Sequence, residues 1–247
     1  MAETGTRDLL KTAARRLFAH RGYDGVSVRD IVVAAGQRNS GSLHYYFGSK
    51  DELARELVAD GARLIDDRRN AMLDAIEARG GPRHLREIIG CLVWPSTNLA
   101  SDLAGDGSQP PKEDSYIRFI TMLQMSHRQM FMDALEGKWA SGYDRALAHI
   151  RVFLKDIDPD LVNQRLMLMS LYLRAVMSSR EAALEGGAAH RVWSMAATME
   201  NFIDTVEGML KPKPSKPTLN ALMLRKRGRA SAKRSQAKHH EEDLQAI

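Results

Sequence analysis

Apolar residues recur at intervals of three and four along nearly the whole chain. No stretch shows the alternation of period two that a half-buried strand requires. The pattern predicts an all-α fold. In residues 6–20, Leu9, Leu10, Ala13, Ala14, Leu17 and Phe18 form one stripe, with Arg7, Lys11, Arg15 and Arg16 off it. The sequence GYDG ends this helix, and Ser27 with Asp30 forms a capping-box-like start for a short helix that stops at Gly36. A turn follows in which Asn39 suits an N-cap, and a second short helix runs through SGSLHYYF. Gly48 ends it, and Ser49 with Glu52 opens a long helix to about Arg79. Beyond this, a helix from Pro82 is interrupted at Trp94-Pro95-Ser96, because proline cannot complete the backbone ladder. Further helices are expected over 115–136, over 139–156, from Asp158 to about Glu185, and over 191–210. KPKPSKP reads as a stiff linker before a basic, mostly disordered tail. Three regions follow: an N-terminal three-helix domain at 1–50, a larger helical domain at 51–210, and the tail at 211–247.

A chain of 247 residues that is 44% hydrophobic can bury a substantial core. MAETGTRDLL lacks the charged-then-apolar pattern of a secretory signal, and no apolar run is long enough to span a bilayer, so the expectation is a soluble, cytoplasmic protein. Cys91, the single cysteine, has no partner for an internal disulfide and reads as a small buried residue. No H-E-x-x-H, G-x-S-x-G or G-x-G-x-x-G occurs, so neither an enzyme nor a cofactor or metal site is expected; the terminal HHEED reads as incidental. The net charge of +5 is segregated: residues 1–50 carry eight Lys/Arg against four Asp/Glu, and residues 211–247 carry ten against three, leaving the middle acidic. Basic ends point to a polyanion partner.

The N-terminal end names that partner. Three short helices with a tight turn between the second and third form a helix-turn-helix, which lays its last helix in the major groove of DNA. In GSLHYYFGSK, three aromatic rings and a histidine crowd into a chain that is only 6% aromatic. Leu43 and Phe47, four apart, face inward, which leaves Ser42, Tyr45 and Tyr46 toward DNA. The tyrosines and Lys50 suit phosphate contacts. Ser40, Gly41, Ser42 and the planar fork of Arg29 suit base edges.

VSVRDIVVAAG followed by GSLHYYFGSKDEL resembles the signature of the TetR family of bacterial transcriptional regulators, S/T-x-x-x-I-A-x-x-A-G and then T-L-Y-x-Y-F-x-S-K-x-x-L, over residues 9–57. The resemblance implies phosphate contacts at Ser27, Tyr46 and Lys50, His44 and Tyr45 at the DNA face, and base contacts at Arg29, Ser40 and Ser42. The segment from Gly36 to Phe47 is one residue longer than the usual pattern, similar to a subset of the family that carries GQRN here. The resemblance also implies an all-helical ligand-binding domain that dimerises through its last two helices.

The apolar surfaces of 159–185 and 191–210 each exceed a single stripe and need burial on two sides, which a four-helix bundle across a two-fold axis supplies. A dimer places two recognition helices roughly 34–36 Å apart on a palindromic operator. Any effector pocket is expected around Trp94, Asn98, His127, Met169 and Arg174, taking an apolar or aromatic small molecule. RKRGRASAKRSQAK, residues 225–238, reads as a basic arm for phosphates. The function expected is a ligand-responsive repressor released from its operator by that effector. The alternative is an architectural DNA binder that responds to no ligand.

Overall fold

The structure is a computed structural model that describes residues 2–39, 41–104, 114–185, 190–195 and 197–226. The described residues are helical, with no strand among them, and residues 1–210 form one compact unit. Its N-terminal part contains α1 (Ala2–Arg21), α2 (Val28–Ala34) and α3 (Gly41–Phe47). Leu10, Ala14 and Phe18 bury the inner face of α1. Ser27 starts α2 by a reciprocal cap: its hydroxyl accepts from the Asp30 amide at 3.2 Å, and its own amide donates to the Asp30 carboxylate at 2.8 Å. Gly36, at φ +69°, ends α2, and the amides of Gly36 and Gln37 donate back to the Val33 and Val32 carbonyls at 3.0 Å each. The longer turn is then fixed by Asn39, whose side-chain oxygen accepts from the Gly41 amide at 2.8 Å.

The 28-residue α4 (Lys50–Glu77) is the spine against which the larger part is assembled, capped by Ser49 through the Glu52 amide at 3.1 Å. Around it lie α5 (Leu85–Val93), a 3₁₀ turn (Trp94–Ser96), α6 (Tyr116–Ser126), α7 (Arg128–Leu135), α8 (Ser141–Phe153), α9 (Pro159–Leu184) and α10 (Ala197–Leu210). The N-terminal helices are keyed to this spine by charge as well as packing: Arg7 forks onto both oxygens of Glu56 at 2.5 and 2.6 Å, and Lys11 reaches Asp60 at 2.7 Å.

The long run expected over 115–136 is two helices, broken at His127, whose φ of −133° and ψ of 52° lie outside the helical region. The helix expected over 191–210 begins at Ala197. Before it, the His190 ring accepts the Val192 and Trp193 amides at 3.3 Å each, and the Thr198 hydroxyl donates to the Val192 carbonyl at 2.5 Å. These local bonds consume the groups a continuous helix would use.

Residues 211–247 form a second unit. A helix, α11, covers 216–226, where a disordered tail was expected. Ser215 nucleates it by accepting from the Thr218 amide at 3.4 Å with its hydroxyl and from the Leu219 amide at 3.0 Å with its carbonyl, and Pro217 fits a first turn that needs no donor. The remainder of the basic arm and HHEED lie outside the described residues. Among the described residues no helix is long and apolar enough to cross a membrane.

At Gly61 the spine approaches α6 so closely that a Cβ would stand 2.1 Å from the Tyr116 ring, which is fully buried and whose hydroxyl donates to the Val58 carbonyl at 2.8 Å. Gly61→Ala is therefore expected to destabilise the fold by about 1–3 kcal/mol despite alanine's higher helix propensity, read as a lowered urea midpoint.

Candidate nucleic-acid interface and effector cavity

Leu43 and Phe47 anchor α3 in the core, so the intervening residues must turn outward. Tyr45 is 73% exposed. Tyr46 is half-buried against the core and meets the Tyr45 ring edge-on, with centroids 5.0 Å apart. His44 is exposed and its Nδ1–H donates to the Gly48 carbonyl, which ties the ring to the end of its own helix. Ser42 is half-buried, Arg29 is exposed on α2, and Ser40 lies outside the described residues. The Ser27 hydroxyl donates to Asp30 at 2.6 Å; together with the Ser27 amide it holds that carboxylate below its ordinary range. Ser27 thus fixes the start of α2 at the edge of this face. Lys50 is engaged within the protein as well: its ammonium donates to the Tyr23 and Val26 carbonyls at 3.2 and 3.0 Å and sits 4.0 Å over the Tyr23 ring. It staples the α1–α2 loop.

Beside α4, α6 couples this module to the rest. Phe119 stacks on Phe18 of α1 at 5.7 Å. Arg118 donates to the Ala19 carbonyl at 2.7 Å, to Nδ1 of His20 at 2.9 Å and to Glu185 at 2.9 Å. A donor at Nδ1 places the His20 proton on Nε2, which reaches Glu185 at 2.5 Å; burial and the nearby Arg118 lower the His20 pKa, in keeping with a neutral ring. The first turn of α6 has no local side-chain cap. Glu181 of α9, 3% exposed, supplies one from afar, accepting the Ile117 and Arg118 amides at 3.0 and 2.7 Å. Burial lifts its pKa to about 7 against those bonds. Asp66 of α4 does the same for α8, accepting from the Gly142 amide at 2.9 Å and the Ser141 hydroxyl at 2.8 Å.

Between α4, α6, α7, α8 and α9 lies a cavity of about 260 Å³. Tyr116, Ile117 and Ile120 of α6 line it, with Tyr143, Leu173 and Arg174 on facing helices. Of the five residues expected at a pocket, only Arg174 is there. Met169 is fully buried in the core. His127 packs on the α1–α2 loop instead, pairing with Asp24 at 2.9 Å and meeting the Tyr23 ring edge-on. The 3₁₀ turn seats Trp94 beside Gly90 in a separate recess with Glu200 and Ile203. Asn98 is exposed, with its carbonyl accepting from Arg68 at 3.3 Å. Sequence reasoning missed Tyr116, Tyr143 and Glu181. Glu181 carried a signal, a single acid continuing the apolar register of Leu173 and Met177.

An exposed, aromatic third helix on a capped helix-turn-helix defines a DNA-binding regulator. Residues 10–57 match the bacterial regulatory proteins of the tetR family. The HTH-type transcriptional repressor KstR2 of Mycolicibacterium smegmatis is 28% identical over 63% of this chain and 71% of its own length. The repressor AcnR of Corynebacterium glutamicum is 36% identical over 26% of this chain and 34% of its own. The regulator PfmR of Thermus thermophilus aligns in structure over 84% of this chain and 99% of its own, at 16% identity and a TM-score of 0.48. Over residues 10–57 the chain is thus similar to the TetR family of regulators.

The Glu181 carboxyl titrates near pH 4.5 when solvated and near 7 in the fold, so the native state loses stability as pH rises between those values. Arg15 and Arg118 face it as cations and Asp114 as an anion. Glu181→Gln removes this titration. Between pH 4.5 and 7.5 the stability of the variant relative to the parent is expected to rise by up to about 3 kcal/mol, measured by urea unfolding at the two pH values.

Proposed function

We propose that the protein is a ligand-responsive repressor that binds a palindromic operator as a homodimer and is released from it by a small molecule in the α4–α9 cavity. The observation that carries this reading is the division of labour along α6. Ile117 and Ile120 face the cavity, whereas Arg118 and Phe119 grip α1. One short helix thus touches both the cavity and the N-terminal module. A ligand that prefers one setting of α6 shifts the population of the attached recognition helices, and operator affinity falls with it.

The dimer surface is assigned to α9 and α10, bounded as 159–185 and 191–210 from the sequence. Met167, Leu168 and Leu171 of α9 are each half exposed on one apolar stripe. On α10, Phe202, Ile203 and Val206 are buried within the chain, so α9 carries the larger share of the unburied apolar surface. The names of the curated relatives, both repressors, support the direction of regulation.

Selection of bound DNA from a random pool with the full-length protein tests the reading: a palindromic consensus is expected, and unselective recovery would instead indicate an architectural binder. On that consensus, Arg29→Ala is expected to relax preference at one base pair by about 1–3 kcal/mol, whereas Tyr45→Ala weakens all sites alike, both read by competition binding at fixed salt.

A further inference from the structure

The cavity has one feature that an apolar ligand leaves unexplained. Arg174 lines it half-buried and makes no ion pair or hydrogen bond among the described residues. The arginine beside it is different. Arg69 donates to the Cys91 carbonyl at 3.2 Å, lies 3.9 Å from Asp66 and stacks 5.7 Å from the Tyr143 ring. Arg174 and Arg69 both lower the pKa of the Tyr143 phenol against the effect of its burial, so the wall around that ring is electropositive. Tyr143 and Ser170 bring hydroxyls to the same wall, and Gln124 brings an amide from α6. The rest is largely apolar: Ile65, Leu92, Ile120, Phe131, Leu173 and Met177.

A partly desolvated guanidinium without a counter-ion is costly, and a carboxylate is the partner whose geometry its planar fork matches. We propose that the cavity takes a carboxylic acid with a compact apolar body, its carboxylate paired with Arg174. Benzene fills a cavity of about 150 Å³. A volume of about 260 Å³ therefore suits a bicyclic or medium-chain body. This rests on the reading of the cavity as the effector site and adds the charge of the effector to it. The anion would sit on α9 two turns from Glu181, while the apolar body presses on Ile117 and Ile120 of α6.

The test uses the full-length protein with 2-naphthoate and decanoate, and with 2-naphthamide and decanol as neutral counterparts, by titration calorimetry. The acids are expected to bind about 10–100-fold more tightly than their neutral counterparts, the worth of a charged hydrogen-bonded pair. Arg174→Gln should abolish that difference while leaving the neutral affinities in place, and Arg174→Lys should restore part of it. Equal binding of acids and neutral counterparts, no binding of either acid, or an unchanged preference in Arg174→Gln overturns the proposal. A parallel measurement of DNA binding on the selected consensus separates the two readings. Acids that bind without changing DNA affinity support the anion site and overturn the regulatory reading; neutral compounds that alone release DNA do the reverse.

Discussion

Two helices of this bundle cannot begin where they do without help from elsewhere in the chain. The first turns of α6 and α8 lack local side-chain caps, and each is completed by a carboxylate from another helix, Glu181 and Asp66 respectively. A buried, uncapped helix start would leave amide donors without water or partner, a penalty of order 1–3 kcal/mol for each group. The two caps therefore fix the axial positions of α6 against α9 and of α8 against α4. The cavity lies between the two starts, lined by Tyr116 and Ile117 on one side and by Ala140 and Tyr143 on the other.

From that arrangement the link to DNA follows by short steps. Arg118 accepts its place from Glu181 through its backbone and gives its side chain to α1 and to Glu185. Phe18 and Phe119 add an aromatic contact, and His127 at the far end of α6 holds Asp24 in the loop that precedes α2. The DNA-facing module is thus attached at both ends of one helix. Lys50 stiffens the same loop from the other side by binding its carbonyls.

Local signals were readable and non-local ones were not. Ser27, Gly36, Gly48 and Ser49 act within four residues of themselves, so the boundaries of α2, α3 and α4 could be seen in the sequence. The outward turn of Tyr45 followed from the inward spacing of Leu43 and Phe47. The start of α10 was misplaced because an apolar repeat continues through Val192 and Met195, while the bonds that override it come from the single ring of His190 and the Thr198 hydroxyl. The cavity draws its walls from six separate stretches of chain, and no spacing rule connects Arg69 to Tyr143 or Arg174. Trp94 and His127 were expected at the pocket, but their neighbours in space are Gly90 and Asp24.

The socket that Gly61 leaves for Tyr116 governs how these helices can rearrange. A ring seated in such a notch blocks sliding, because a shift of one residue along the spine would bring it onto a side chain. Tilting keeps it seated. Tyr116 is thereby a fulcrum, and the rest of the 11-residue α6 forms a lever about 15 Å long. In the proposed ligand response, a guest lodged beside the fulcrum would need only a small displacement there to swing the far tip, and with it the loop before α2, through a greater arc.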